Sequence, residues 1–215
     1  MSNINKEYIE EYIREIIPKR TELIQSLEEY AKENHVPIIH LEVAEFLKVL
    51  IKIKKAKNIL EIGSAIGYSA IIMASSMDNG SLTSIERRED MVNLAKSNIE
   101  KSGLERVNII HGEAQEVLPN IKQKFDFIFI DAAKGKYMEF LPFCIDMLEE
   151  NGVIVSDNVL FKGMVANDDL VVRRKKTIVR RMREYLDYIS NHPRLTTSVI
   201  PIGDGMAISY KEDDK

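Results

Sequence analysis

The stretch FDFIFIDAAKGKY, Phe125 to Tyr137, runs an apolar strand into Asp131 and, three positions later, Lys134. A carboxylate that can hold a cation, followed by an amine that can take a proton, is a pairing suited to activating a hydroxyl group. A second apolar run, GVIVSDN, ends in Asp157 and Asn158. Three oxygen-bearing side chains without histidine or cysteine suit Mg2+, or Mn2+, with water or substrate completing six positions. Taken singly, Asp157 and Asn158 read equally as turn formers or helix caps, and Lys134 as a solvated loop lysine. Upstream, EIGSAIGYS supplies Glu61, Gly63, Gly67, Tyr68 and Ser69. Its G-x-x-x-G spacing is not the G-x-G-x-x-G of a dinucleotide site, which counts against a nicotinamide dehydrogenase. An acid two residues before the first glycine repels phosphate and welcomes a positive group. Glu86 lies nineteen residues beyond Gly67, where a carboxylate can accept both hydroxyls of a ribose. Glu113 and Ala114 follow the next apolar run, in reach of an adenine. A nucleoside carrying an amino acid and a sulfonium, S-adenosylmethionine, fits that set, although each glycine alone reads equally as structural.

These residues need a scaffold that gathers strand ends. NILEIG, SLTSIE, RVNIIHG, FDFIFID and GVIVSDN are short apolar runs separated by segments of helical spacing, the alternation of a parallel sheet with helices on both faces. TTSVIPIGDGMAISYK reads as two strands around Gly203-Asp204-Gly205, an antiparallel hairpin. The expected fold is therefore α/β and Rossmann-like, with a mostly parallel seven-stranded sheet and a C-terminal antiparallel hairpin. Ligands bind such sheets outside the carboxyl ends of the strands. Before the sheet, Tyr8 to Ile17, Thr21 to Asn34 and a pattern from Ala44 to Ile51 predict three helices. The 215 residues predict one domain, with a helical extension over 1–55 and the α/β core over 56–215. A net charge of -4 argues against a protein coated in nucleic acid but leaves room for a local basic stripe. The single cysteine, Cys144, excludes a disulfide framework within the chain and fits a reducing cytoplasm. There is no apolar signal core at the start and no run long enough to span a membrane, so no membrane partner is expected.

LEIGSAIGYSA, IERRE, FIFIDAAKGKY and GVIVSDNVLFKGMV resemble the cation-dependent O-methyltransferases that include the catechol and caffeoyl-CoA enzymes, over roughly Ile38 to Tyr210. Within that group HVPI, AIGYSA, IDAAKG, DNVLFKG and IPIGDGMAIS are most similar to the bacterial tRNA 5-hydroxyuridine methyltransferases, which make 5-methoxyuridine at the wobble position. The resemblance implies a class I methyltransferase and a homodimer. It implies Asp131, Asp157 and Asn158 as metal ligands and Lys134 as general base. It also implies a methyl donor held by Ile39, Glu61, Gly63, Tyr68, Ser69, Glu86 and Ala114 near Asp131; at Glu113 the family often has Asp.

The substrate is a separate matter, because a catechol and 5-hydroxyuridine both offer two adjacent oxygens. Arg173, Arg174, Lys175, Lys176, Arg180, Arg181 and Arg183 fall within eleven residues, and Lys162 follows the ligands directly. Such a stripe on an acidic protein is a footprint for RNA phosphates, or simply a solvated helix face. Phe161 or Tyr137 is then a candidate to pack on a flipped wobble base, if neither belongs to the core. The tRNA anticodon loop is the expected partner. A catechol-like or caffeoyl-CoA-like small molecule is the alternative acceptor, and a non-catalytic nucleoside- or RNA-binding module is the alternative of another class.

Overall fold

The computed structural model describes residues 4–213, so the ends of the expected 1–215 domain lie outside the described residues. The eight α-helices and seven strands within that range alternate as the sequence predicts. The order is α1 (Glu7–Glu15), α2 (Glu22–Glu33), α3 (Leu41–Lys54), β1 (Asn58–Ile62), α4 (Tyr68–Ser76), β2 (Ser81–Glu86), α5 (Glu89–Ser102) and β3 (Val107–His111). It continues through α6 (Ala114–Val117), β4 (Phe125–Ile130), α7 (Tyr137–Met147), β5 (Leu148–Ser156), α8 (Lys176–Ser190), β6 (Leu195–Ile200) and β7 (Met206–Lys211). One sheet has the order β3-β2-β1-β4-β5-β7-β6. Strands β1 to β5 pair in parallel, and β7 pairs antiparallel with both β5 and β6.

Alternation of side chains along each strand sorts two cores. Ile59, Phe127, Phe129 and Val155 point to the face covered by α2, α3, α4 and α5. Leu60, Ile62, Ile128, Ile130 and Ile154 point to the face covered by α7 and α8. All six residues of β4 are buried, as a central strand covered on both sides requires. Truncating one of its phenylalanines to alanine costs about 3–5 kcal/mol. Val43, Ala44, Leu47 and Ile51 of α3 belong to the first core, so this part of the helical extension packs directly on the sheet. Helix α1 buries no residue and is docked by Arg14, whose guanidinium donates two 2.8 Å hydrogen bonds to Glu42 of α3.

The chain winds from β1 outward to β3 and then returns to place β4 on the other side of β1. That reversal opens a crevice at the carboxyl ends of β1 and β4. No helix among the described residues is long and apolar enough to cross a membrane.

Candidate active site

Two ladder hydrogen bonds set the acids side by side. The Asp131 amide donates to the Ile62 carbonyl at 3.0 Å, and the Asp157 amide donates to the Ile130 carbonyl at 2.9 Å. Each acid is thus the first residue beyond its strand, held by its neighbour's last carbonyl. Gly63 continues β1 with φ +101°, and a Cβ there would collide with the Asp131 carbonyl oxygen, so only glycine lets these turns meet. Asp157 is fully buried, with Oδ1 accepting from the Asn158 amide at 2.7 Å. Its Oδ2 is also buried and has no hydrogen-bond partner among the described residues. Burial, and then the charge of Asp131, pushes the Asp157 carboxyl up to about 7. Burial pushes Asp131 up as well, against the positive charges of Lys134 and His40.

An orphaned, buried carboxylate oxygen beside a second carboxylate is costly unless a cation answers it. Asp131, Asp157 and Asn158, which has φ +58°, are therefore a donor set that fits a divalent metal. No trio of His, Cys, Asp or Glu side chains gathers to hold a metal among the described residues. An asparagine as third donor accounts for this. Lys134 starts a single 3-10 turn, Lys134–Lys136, and lines the same cavity as Asp131 and Asn158. Arg181 of α8 steadies that turn by donating to the Gly135 carbonyl at 2.9 Å.

The cavity, about 480 Å3, extends from these residues along the ends of β1 and β2. Ile39, Gly63, Tyr68, Ser69, Glu86, Glu113 and Ala114 all line it. Glu86 caps two loops, with Oε2 accepting from the Ala65 amide at 3.0 Å and Oε1 from the Arg88 amide at 2.8 Å. Glu113 faces Arg87 at 3.8 Å and Lys136 at 3.7 Å. Tyr68 ties the cavity to α2 by donating to Glu28 at 2.7 Å.

Two residues expected at the methyl donor do not reach the wall. Glu61 points to the α4 face by strand parity and is fully buried, accepting 2.5 Å hydrogen bonds from Ser69 and Ser84. Burial pushes its carboxyl up to about 7 against those two hydroxyls. It stands behind Ser69, which alone of the pair lines the cavity. Gly67 is the left-handed cap of α4, and a Cβ there would lie 3.2 Å from Ala95 of α5, so it is a packing glycine. Conversely, His40, Lys136, Asp204 and the pair Arg87 and Arg88 line the cavity although their spacing in the sequence does not single them out. Asp204 carries a signal, an acid between two glycines at the hairpin, which reads more simply as a turn.

The basic run divides. Arg180 pairs with Glu184 at 2.5 Å, Arg181 holds Gly135, and Arg183 donates to the Val165 and Met164 carbonyls and pairs with Asp168. Lys175 sits 5.6 Å from the Phe161 ring centroid. Arg173, Arg174 and Lys176 are exposed, while Lys162 lines the cavity. Tyr137 is a core residue and no base platform: it is fully buried, donates to the Asp157 carbonyl at 2.9 Å and stacks edge-on against Tyr185. Phe161 is 9% exposed and packs with Met164 and Val179, so it too is mostly committed to packing.

Residues 14–212 match the O-methyltransferase family. A solved chain from Staphylococcus aureus, provisionally described as a caffeoyl-CoA O-methyltransferase, is 36% identical with a TM-score of 0.89, covering 95% of this chain and 100% of that one. An O-methyltransferase of Bacillus cereus solved in complex with SAH is 26% identical with a TM-score of 0.85, covering 95% and 97%. A catechol O-methyltransferase of Niastella koreensis is 32% identical over 177 residues, 79% of this chain and 80% of its own length.

Proposed function

The chain belongs to the O-methyltransferase family, and from that premise we propose that it methylates the 5-hydroxyl of 5-hydroxyuridine at the wobble position of tRNA, giving 5-methoxyuridine. More broadly it is an S-adenosylmethionine-dependent O-methyltransferase of the caffeoyl-CoA and catechol type. Ile39, Gly63, Tyr68, Ser69, Glu86 and Ala114 bind the methyl donor, with Glu61 acting through Ser69 and Glu113 at the rim. Asp131, Asp157 and Asn158 would hold Mg2+ or Mn2+, which would supply Lewis acidity to lower the pKa of a hydroxyl beside a second oxygen. Lys134 Nζ takes the hydroxyl proton as that oxygen bonds to the methyl carbon and the carbon–sulfur bond breaks. Burial of Asp157, with Asp131 half-buried at the cavity wall, strengthens the charge interactions there.

The observation that carries the tRNA reading is the placement of α8. Its start follows Arg173, Arg174 and Lys175, has no acidic residue in its first turn, and packs on the Lys134 turn through Arg181. Cations at a helix N-terminus oppose the helix dipole, a local cost that an anionic backbone lying there would relieve. Lys136 and Lys162 carry the same positive character onto the cavity wall. The enzyme would act in the cytoplasm, as a homodimer joined through the exposed row Tyr8 and Tyr12 of α1 and Ile16 at its C-terminal cap.

A second reading, a catechol-like acceptor, is favoured by the Niastella relative and by the recessed cavity. Labelled methyl transfer to tRNA containing 5-hydroxyuridine, run beside catechol and caffeoyl-CoA, each with Mg2+ and with chelator, decides between them. Labelling of tRNA that chelator abolishes is expected; labelling of catechol or caffeoyl-CoA alone overturns the tRNA assignment and keeps the chemistry.

A further inference from the structure

We propose that Asp204 selects the ring the enzyme accepts, by taking a hydrogen bond from the N3–H of the uracil base; this rests on the tRNA reading above. Asp204 lies between Gly203 and Gly205 in the turn joining β6 to β7, and it lines the same cavity as Lys134 and Asn158. The turn is fixed to the metal-site loop by three hydrogen bonds: Val159 amide to Gly205 carbonyl (2.9 Å), Leu160 amide to Asp204 carbonyl (3.0 Å) and Lys162 amide to Asp204 Oδ1 (2.5 Å). Within the turn, the Gly205 amide donates to the Ile202 carbonyl at 2.8 Å. A Cβ on Gly205 would strike Leu160, so the approach of hairpin and loop is as close as glycine permits. The side chain is partly exposed, toward the cavity; burial raises its carboxyl, against the Lys162 amide hydrogen bond and the charges of Lys134, His40 and Lys162.

The chemistry of the acceptor selects this residue. Around uracil, the 5-hydroxyl, the 4-carbonyl and N3–H follow one another along a single edge. A ring that presents its 5-hydroxyl to Lys134 carries a donor two ring atoms away, where catechol has only C–H. A carboxylate is the natural acceptor for it. The other carboxylates on the wall are engaged elsewhere: Glu86 by two backbone amides, Glu113 by Arg87 and Lys136, and Asp131 at the cation site. Asp204 is the one held rigidly by the metal-site loop.

The test compares 5-hydroxyuridine with N3-methyl-5-hydroxyuridine, for wild type and Asp204→Asn, reading equilibrium binding by calorimetry with SAH and Mg2+ present, and kcat/KM with S-adenosylmethionine. Asn retains an oxygen for the Lys162 amide, so the loop stays tied. In wild type the N3-methyl compound binds about 10- to 100-fold more weakly, the worth of a hydrogen bond to a charged group. In Asp204→Asn that ratio shrinks to within about threefold, and the preference for 5-hydroxyuridine over catechol falls by a similar factor. An unchanged N3-methyl ratio in the variant, or none in wild type, overturns the inference while transfer to 5-hydroxyuridine tRNA preserves the tRNA reading. Absence of any transfer to that tRNA by wild type overturns both.

Discussion

Asp157 Oδ2 is buried without a hydrogen-bond partner among the described residues and stands beside a second acid, so under the proposed function it is the atom a bound cation would answer. Removing the carboxylate removes both the electrostatic cost and the site. Asp157→Ala is therefore expected to abolish methyl transfer while leaving the fold as stable as wild type or more so in chelator; thermal melts with and without Mg2+ check this, and a variant that loses stability in chelator contradicts it. Lys134→Ala is expected to lower kcat by about two to four orders of magnitude with SAH affinity retained, as loss of a general base does. A matching loss of SAH affinity would place the lysine in donor binding instead. Both residues were legible from sequence as strand-end groups, because each follows an apolar run that could only be a strand, and strand ends are where such folds do chemistry. Glu61 was not, since alternation along β1 turns it away from the crevice and toward Ser69 and Ser84.

At the scale of elements, two joints have separate tests. Gly67 caps α4 in the left-handed region and packs on Ala95. Gly67→Ala is expected to cost about 1–2 kcal/mol, a fall in Tm of roughly 2–8 °C for a chain of this size, with donor affinity kept. Weakened SAH binding at unchanged Tm would return Gly67 to the donor site. The joint between α1 and α3 is electrostatic. Burial raises the Glu42 carboxyl, but hydrogen bonds from Arg14 and from its own amide, together with the Arg14 charge, outweigh it and hold it below its ordinary 4.5. A carboxyl depressed by folding contributes stability above its unfolded pKa and loses it as pH falls through the folded value. Protection of α1 amides from hydrogen exchange is thus expected to be level above pH 5 and to drop below about 4.5, by on the order of 1 kcal/mol. Arg14→Ala should remove that dependence; if it persists, another group governs the joint.

At the scale of the whole molecule, a chain of net charge -4 concentrates cations beside one cavity. If tRNA phosphates lie there, replacing Arg173, Arg174 and Lys176 with alanine lowers the salt slope of tRNA binding by about one for each phosphate left without its cation. Catechol turnover gives the comparison, and an unchanged slope rules the patch out. The exposed Tyr12 and Ile16, at 63% each, are expected to lie in the dimer interface, so that Tyr12→Glu with Ile16→Glu sediments as a monomer where wild type does not. By itself the sequence determined the element order and the hairpin, and it put Asp131, Lys134, Asp157 and Asn158 forward as strand-end candidates, because strand and helix periods and strand-end placement are local properties of the chain. Only the tertiary structure decided which side chains share the cavity. Strand parity withdrew Glu61, close helix packing claimed Gly67, burial withdrew Tyr137, and the antiparallel return of β7 beside β5 delivered Asp204 to the wall. Those outcomes depend on which distant segments pack together, a matter of long-range topology that no local spacing encodes.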